Sequence, residues 1–328
     1  MLTFFGYTYG MNSIYRKLYR WYAANGRSDL PWRNTSDPYA IYISEVMLQQ
    51  TQVKTVLERY YFPFLTRFPT LQVLADAPLD AVLKMWEGLG YYSRARNLHR
   101  TAQIAAPQLP DSYDALLKLP GIGKNTASAI CAFAYRQKRA VMEANVRRVL
   151  CRLYALDDPS HALLYERAQG LLDTVNPFDY NQAMMDIGAM VCTVRNPSCE
   201  SCPFETMCRA RELACYDFPV KKRRTVPVRR QIVVAEHFEG RVALMQRSGK
   251  FLHGLWGFAE SEKAEGEKIG EVKHQYTHFK LEVILYAKAL KRPREQMFSQ
   301  AESEALALST VDKKIFALLE RSGITSRR

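Results

Sequence analysis

Four cysteines crowded into one short stretch, Cys192-x6-Cys199-x2-Cys202-x5-Cys208, constrain this chain more than any other feature. Four thiolates this close in sequence can wrap one metal centre, so the fold has to present them on a single loop. The spacing does not match paired zinc knuckles, in which two C-x-x-C units sit apart. Thiolate ligation of a [4Fe–4S] cluster fits better, with zinc as the competing reading. The other three of the seven cysteines, Cys131, Cys151 and Cys215, are scattered. An odd total, behind a start with no basic stretch and no apolar core, does not read as a disulfide framework. No run is long enough to cross a bilayer. Residues 1–11 read as a disordered tail, with Met11 as a second candidate start.

The 328 residues are enough for two domains. Residues 12–215 read as helices: Ile14, Leu18 and Trp21 form one stripe, Val46, Val53, Val56 and Tyr60 a second with Ser44 as its candidate N-cap, and Met184, Ile187 and Val191 a third. Pro69, Pro78, Pro110 and Pro120 punctuate them. Residues 216–229 hold two prolines and a basic run and read as a linker. Beyond it, Ile232–Ala235 and Val242–Met245 flank the hairpin signal Glu239-Gly240, Leu281–Tyr286 reads as a further strand, and Val311, Ile315 and Leu318 as a closing helix. The expectation is a mostly helical region followed by a smaller α+β domain at 230–328.

A net charge of +13 favours an acidic polymer as partner, either nucleic acid or an anionic membrane surface. Leu119-Pro-Gly-Ile-Gly-Lys124 narrows the choice. It sits between Leu116-Leu117 and the helix-like Thr126–Ile130, as a helix–hairpin–helix does. Gly121 and Gly123 let the backbone approach closely, and the next helix offers free N–H groups to a phosphate. Arg195, Arg209 and Arg211 add cations around the cysteine loop. Glu45 opens an apolar helix near its N-terminus and is followed by Gln49, Gln50, Thr51 and Gln52, a dense set of donors and acceptors for base edges.

Together, Leu30-Pro-Trp-Arg33, Ser44 to Val53, Trp86 to Arg96, Leu119 to Gly123, Asn181 to Met190 and the four cysteines resemble the adenine DNA glycosylases of the MutY type. These belong to the helix–hairpin–helix superfamily that includes endonuclease III. The resemblance covers roughly residues 12–215. Gly254-Leu-Trp-Gly-Phe258 and Gln275-Tyr-Thr-His-Phe279 are similar to the Nudix-like domain of the same family. The Glu-rich Mg²⁺-binding box of Nudix hydrolases is missing, so the resemblance implies recognition there and not hydrolysis.

The resemblance implies a base-excision enzyme that flips adenine out of a mispair with 8-oxoguanine, or with guanine, and hydrolyses its glycosidic bond. Glu45 is then the acid that protonates the base. Glu143, in Met142-Glu-Ala-Asn-Val146, stands where the family motif L-D-G-N-V has aspartate, and stabilises the oxocarbenium-like sugar. Trp32, Arg33 and Gln182 would line the adenine pocket. Gln50, Thr51, Leu89 and Tyr91 would fill the gap and contact the remaining base, and Tyr276, Thr277 and His278 would read the lesion. Asn125 occupies the position of the Schiff-base lysine of endonuclease III, with Lys124 one residue earlier, about 100° away on a helix. That implies a monofunctional glycosylase in which Gly121, Gly123 and Lys124 hold phosphate. Cys192, Cys199, Cys202 and Cys208 would carry the [4Fe–4S] cluster. The expected setting is a cytoplasmic, nucleoid-associated monomer on duplex DNA, with no membrane. The alternatives are a lesion-binding protein impaired by Glu143 and an endonuclease III-like lyase.

Overall fold

The computed structural model describes residues 5–220 and 225–325. The chain forms two compact units, Met1–Val53 with Pro107–Arg223, and Lys54–Ala106 with Arg224–Arg328. The first helices are α1 (Phe5–Asn25), α2 (Pro38–Met47), α3 (Val53–Arg59), α4 (Tyr61–Arg67), α5 (Leu71–Asp76), α6 (Leu79–Met85) and α7 (Ser93–Ala105). Next come α8 (Tyr113–Leu116), α9 (Lys124–Phe133), α10 (Ala144–Leu153), α11 (His161–Gly170), α12 (Pro177–Asp186) and α13 (Arg209–Glu212). The helix α1 takes in residues 5–11, where a tail was expected; adding turns to a helix already anchored by Leu18 costs little. Residues 1–4, and Lys221–Arg224 of the basic run, lie outside the described residues.

In the first unit, α1, α10, α11 and α12 close around Leu18, Val146, Leu150, Leu164, Met184 and Ile187. A smaller core joins Ile41 of α2 to Ala129 and Phe133 of α9, with Val141 and Phe178. The start of α2 is written locally: Asp37 accepts from Tyr39 N at 2.9 Å and Pro38 takes the first helical position, where its missing N–H costs nothing. Ser44 is not an N-cap. It lies inside α2, and its hydroxyl donates to Ile41 O at 2.8 Å. The stripe read from Val46 to Tyr60 is broken after Met47, where Gln50 adopts φ 58° and turns the chain into α3.

The second unit holds the strands β1 (Val228–Phe238), β2 (Arg241–Ala243), β3 (Met245–Gln246), β4 (Trp256–Gly257), β5 (Glu260–Ser261), β6 (Glu267–Gln275), β7 (Lys280–Ala289) and β8 (Met297–Phe298), then α14 (Gln300–Ser303) and α15 (Thr310–Arg321). The main sheet is mixed, ordered β6-β7-β1-β2-β8 with β1 parallel to β7. Glu239 and Gly240, at φ 47° and 76°, make the expected two-residue hairpin turn. Val311, Ile315 and Leu319 of α15 bury against Val233, Val283 and Leu285. The helices of residues 54–106 belong to this unit and not to the other helices, which a contiguous division at 215 did not anticipate. The reason lies in long-range contacts: Lys84, Glu87 and Tyr92 hydrogen-bond to Leu306, Leu308 and Lys313. Among the described residues no helix is long and apolar enough to cross a membrane.

Candidate active site

Glu45 lies in the last turn of α2, not at its start. The negative end of a helix dipole disfavours a carboxylate there. Burial pushes its carboxyl up to about 8; the nearby Glu143 adds to the rise and Arg33 opposes it. Glu143 sits at the other kind of helix end, as the N-cap residue of α10. Its side chain does not cap the helix. It accepts from Asn145 Nδ2 at 3.1 Å. Burial raises its carboxyl above the ordinary value, against the pull of Asn145, Arg27, Arg148 and Arg33. The two acids therefore share one electrostatic environment and stand in opposite helix-end fields, the arrangement that separates an acid from a carboxylate.

Arg33, expected to line a base pocket, is held by a buried acid. Its fork is bidentate to the fully buried Asp186, at 2.7 and 2.8 Å, and Arg27 joins the same carboxylate. Burial works to raise the Asp186 carboxyl, but Arg33 and Arg27 overcome it and hold it below its usual range. Arg33 thus reaches the site as a fixed charge. Asp186 was not picked out from sequence, although a lone acid in the apolar run from Ala183 to Val191 is a signal for a paired buried charge. Trp32 and Gln182 are buried. Asn181 clamps the segment before Glu143 to α12: it accepts from Val141 N at 2.9 Å and donates to Arg139 O, and also to Pro177 O within its own helix.

The helix–hairpin–helix is present as α8, a turn and α9. Gly121 is exposed at φ 74°, a conformation that favours glycine. Gly123 has an ordinary φ, and a Cβ built there meets nothing within 4 Å, so its side of the turn is open. Lys124 and Asn125 are exposed in the first turn of α9. Gln50 is exposed in its left-handed conformation, and Thr51 is half-buried beside it. A non-glycine residue held at φ 58° is uncommon and points to a side chain aimed on purpose. Gln49 donates to Thr126 Oγ1 at 3.3 Å, joining this turn to α9.

The four cysteines line one cavity of about 30 Å³ with Arg152, Arg211 and Tyr216. The Cys202 thiol is pushed up to about 12, mainly by burial, with Phe204 opposing and Cys192, Cys208 and Cys199 adding. Among the described residues no three His, Cys, Asp or Glu side chains converge as a single ion would require. Two arginines of α10 hold the loop. Arg152 donates to Tyr216 O, Val194 O and Thr193 O, and Arg148 to Cys192 O at 2.8 Å and Gly188 O at 2.5 Å. Arg148 also donates to Asn145 Oδ1 at 3.0 Å, so an unbroken path runs from Glu143 through Asn145 and Arg148 to the backbone of the first cysteine. Two of the three arginines expected to meet phosphate are paired, Arg209 with Glu212 and Arg211 with Glu205; Arg195 is exposed.

In the second unit, a cavity of about 440 Å³ is lined by Tyr91, Phe251, Tyr276, Thr277 and His278. Tyr276 to Phe279 close the hairpin between β6 and β7, with Tyr276 N donating to Phe279 O at 2.9 Å. Thr277 and His278 are exposed at its tip, and Tyr276 packs on Phe251 and Phe279. The Tyr91 hydroxyl hydrogen-bonds to Thr277 Oγ1. Leu89, expected to fill a gap in DNA, is only 6% exposed and serves the core; Tyr91 is 39% exposed.

The family described as "HhH-GPD superfamily base excision DNA repair protein" matches residues 43–173. The chain is 33% identical over 401 residues to the human adenine DNA glycosylase, covering 92% of this chain and 73% of that one. It is 42% identical over 204 residues to the adenine DNA glycosylase of Buchnera aphidicola subsp. Baizongia pistaciae, covering 60% of this chain and 58% of the relative. Among solved structures, a thermostable thymine-DNA glycosylase matches at a TM-score of 0.56 and 30% identity, over 63% of this chain and 96% of its own. A non-covalent endonuclease III–DNA complex matches at 0.54 and 20%, over 65% and 99%, a likeness of fold.

Proposed function

The chain belongs to the adenine DNA glycosylases, within the helix–hairpin–helix base excision repair superfamily, and on that premise we propose that it releases adenine mispaired with 8-oxoguanine or guanine by hydrolysis. What carries this reading is the pair Glu45 and Glu143, near enough that the second acid adds to burial in raising the first carboxyl to about 8. Glu45, neutral at physiological pH, donates its proton to N7 of an adenine extruded from the duplex. Negative charge gathering on the base is thereby cancelled. Glu143, ionised and held by Asn145, faces the positive charge left on the sugar. Glu45, then a carboxylate, takes a proton from the attacking water.

Monofunctional hydrolysis is the reading the hairpin supports. Asn125 cannot form a Schiff base, and Lys124 lies on the exposed side that Gly123 leaves open, suited to a phosphate. In the second unit, Tyr91, Tyr276, Thr277 and His278 offer aromatic faces and hydroxyls to the opposite base, and no Glu-rich metal box accompanies them in the sequence, which supports a Nudix-like reader. The donor set of Cys192, Cys199, Cys202 and Cys208, four thiols lining one cavity, is the set that holds a [4Fe–4S] cluster, and their spacing departs from that of paired zinc knuckles. When bound, the cluster supplies iron–thiolate bonds that fix the loop on α10.

The test is incubation of the purified protein with a duplex carrying adenine opposite 8-oxoguanine, followed by alkali. Strand scission only after alkali is expected, and Glu143→Asp should keep the single-turnover rate within about tenfold, since the carboxylate is retained. No abasic product at stoichiometric enzyme would sink the reading. A borohydride-trapped covalent adduct would replace it with a lyase.

A further inference from the structure

Glu87 is the one acid between Trp86 and Arg96, and nothing in the reaction uses it. Its side chain is 12% exposed and holds three donors. Leu308 N donates to Oε1 at 3.0 Å, and Lys84 and Lys313 reach Oε2 at 2.9 and 2.7 Å. Burial alone would raise this carboxyl; Lys313, Leu308 N and Lys84 together bring it below its usual value. Leu308 and Lys313 belong to the start of α15 and the turn before it, so Glu87 ties a loop between two helices to the sheet side of the unit.

Immediately after Glu87 the chain enters a loop of fixed shape. Gly88, Gly90 and Tyr91 are all left-handed, at φ 88°, 77° and 48°. A Cβ on Gly88 would meet the Tyr60 hydroxyl at 2.8 Å, and that hydroxyl donates to Glu87 O. Gly88 N donates to the Tyr92 hydroxyl, which donates to Leu308 O. The loop is therefore bound at its base to residues 308–313 and at its tip, through Tyr91, to Thr277.

We propose that Glu87 is a positioning residue for specificity: by anchoring residues 88–91 on the start of α15 it lets Tyr91 and Thr277 meet, and so sets the preference for 8-oxoguanine over guanine opposite the adenine. This rests on the functional reading above. Glu45 and Glu143 lie in the other unit and among the described residues share no hydrogen-bond or ion-pair partner with Glu87, so the anchor acts on discrimination and leaves the chemical step alone.

Single-turnover rates on adenine opposite 8-oxoguanine and opposite guanine separate these effects. Glu87→Gln and Lys313→Met should lower the ratio of the two rates about tenfold, with the rate opposite guanine within about twofold of wild type. Lys313→Arg, which keeps the ion pair, should keep the ratio. Lys313 is half exposed, so its variants fold even where Glu87→Gln does not. An unchanged ratio in folded Lys313→Met, or equal losses on both duplexes, overturns the inference. Wild-type protein that releases adenine from neither duplex overturns the functional reading instead.

Discussion

At the residue scale, the position of each acid in its helix decides its chemistry. Glu45 is half-buried at the negative end of α2, and burial and the nearby Glu143 raise its carboxyl to about 8, so it keeps its proton at neutral pH. Adenine release should fall as the pH rises through that value, because the proton donor is consumed. On the acid side, release should fall below the Glu143 midpoint, which lies above the ordinary 4.5, because the carboxylate facing the sugar is lost. Glu45→Gln should remove about 10² to 10⁴ of the single-turnover rate. The same substitution should stabilise the fold. A carboxyl whose folded pKa is raised contributes stability below its unfolded pKa and loses it as the pH rises toward 8. At pH 7 the gain should be on the order of 2 kcal/mol, read from urea melts. Wild-type stability in the glutamine variant would contradict the raised value. Asp186 is the opposite case. Its carboxyl is held low, so its contribution is present at neutral pH and lost as the pH falls. Asp186→Asn leaves Arg33 buried without its counter-charge and should cost about 3–5 kcal/mol in the same melts.

At the scale of elements, α10 does two jobs: its N-cap residue is Glu143, and Arg148 and Arg152 along it grip the cysteine loop. Gly188 makes the grip possible, since a Cβ there would meet Asn145 Cβ at 2.7 Å. Arg148→Met should therefore be felt at Glu143. Removing that positive charge raises the Glu143 carboxyl, so the acid limb of the pH–rate profile should move to higher pH while the alkaline limb, set by Glu45, stays near 8. A profile that loses height without moving would mean that Arg148 only supports the loop. Much of this was legible in the sequence. The Leu-Pro-Gly-Ile-Gly turn and Glu239-Gly240 each encode backbone geometry locally, and each appears where the residues put it. The end of α2 was not legible. Val46 and Val53 keep a helical period across the break, and the left-handed Gln50 that ends the helix has no glycine to announce it. Nor was the role of Arg33 legible, because its partner lies 153 residues away.

At the scale of the whole molecule, the division of the chain is where the sequence misleads. Helical periodicity runs from α1 to α12, and a basic, proline-bearing stretch comes next, so a cut near residue 215 is the natural reading. Periodicity reports only that a helix has an apolar face; it does not report what covers that face. Here α3 to α7 share a compact unit with the sheet, and α8 to α12 share one with α1 and α2. The consequence can be measured by ending the chain after residue 220. If the helices formed one independent domain, their amides would keep their hydrogen-exchange protection. In the observed arrangement the truncation strips Leu306, Leu308 and Lys313 from Lys84, Glu87 and Tyr92, leaving a nearly buried carboxylate and two hydrogen-bonding side chains without their long-range partners. Each buried polar group left unpaired costs about 1–3 kcal/mol. Amides of α6 and α7 should then exchange about 10- to 100-fold faster in the fragment than in the full chain, while those of α9, α10 and α12 keep their protection. Equal protection of both sets would show that the helices of residues 54–106 stand without the sheet.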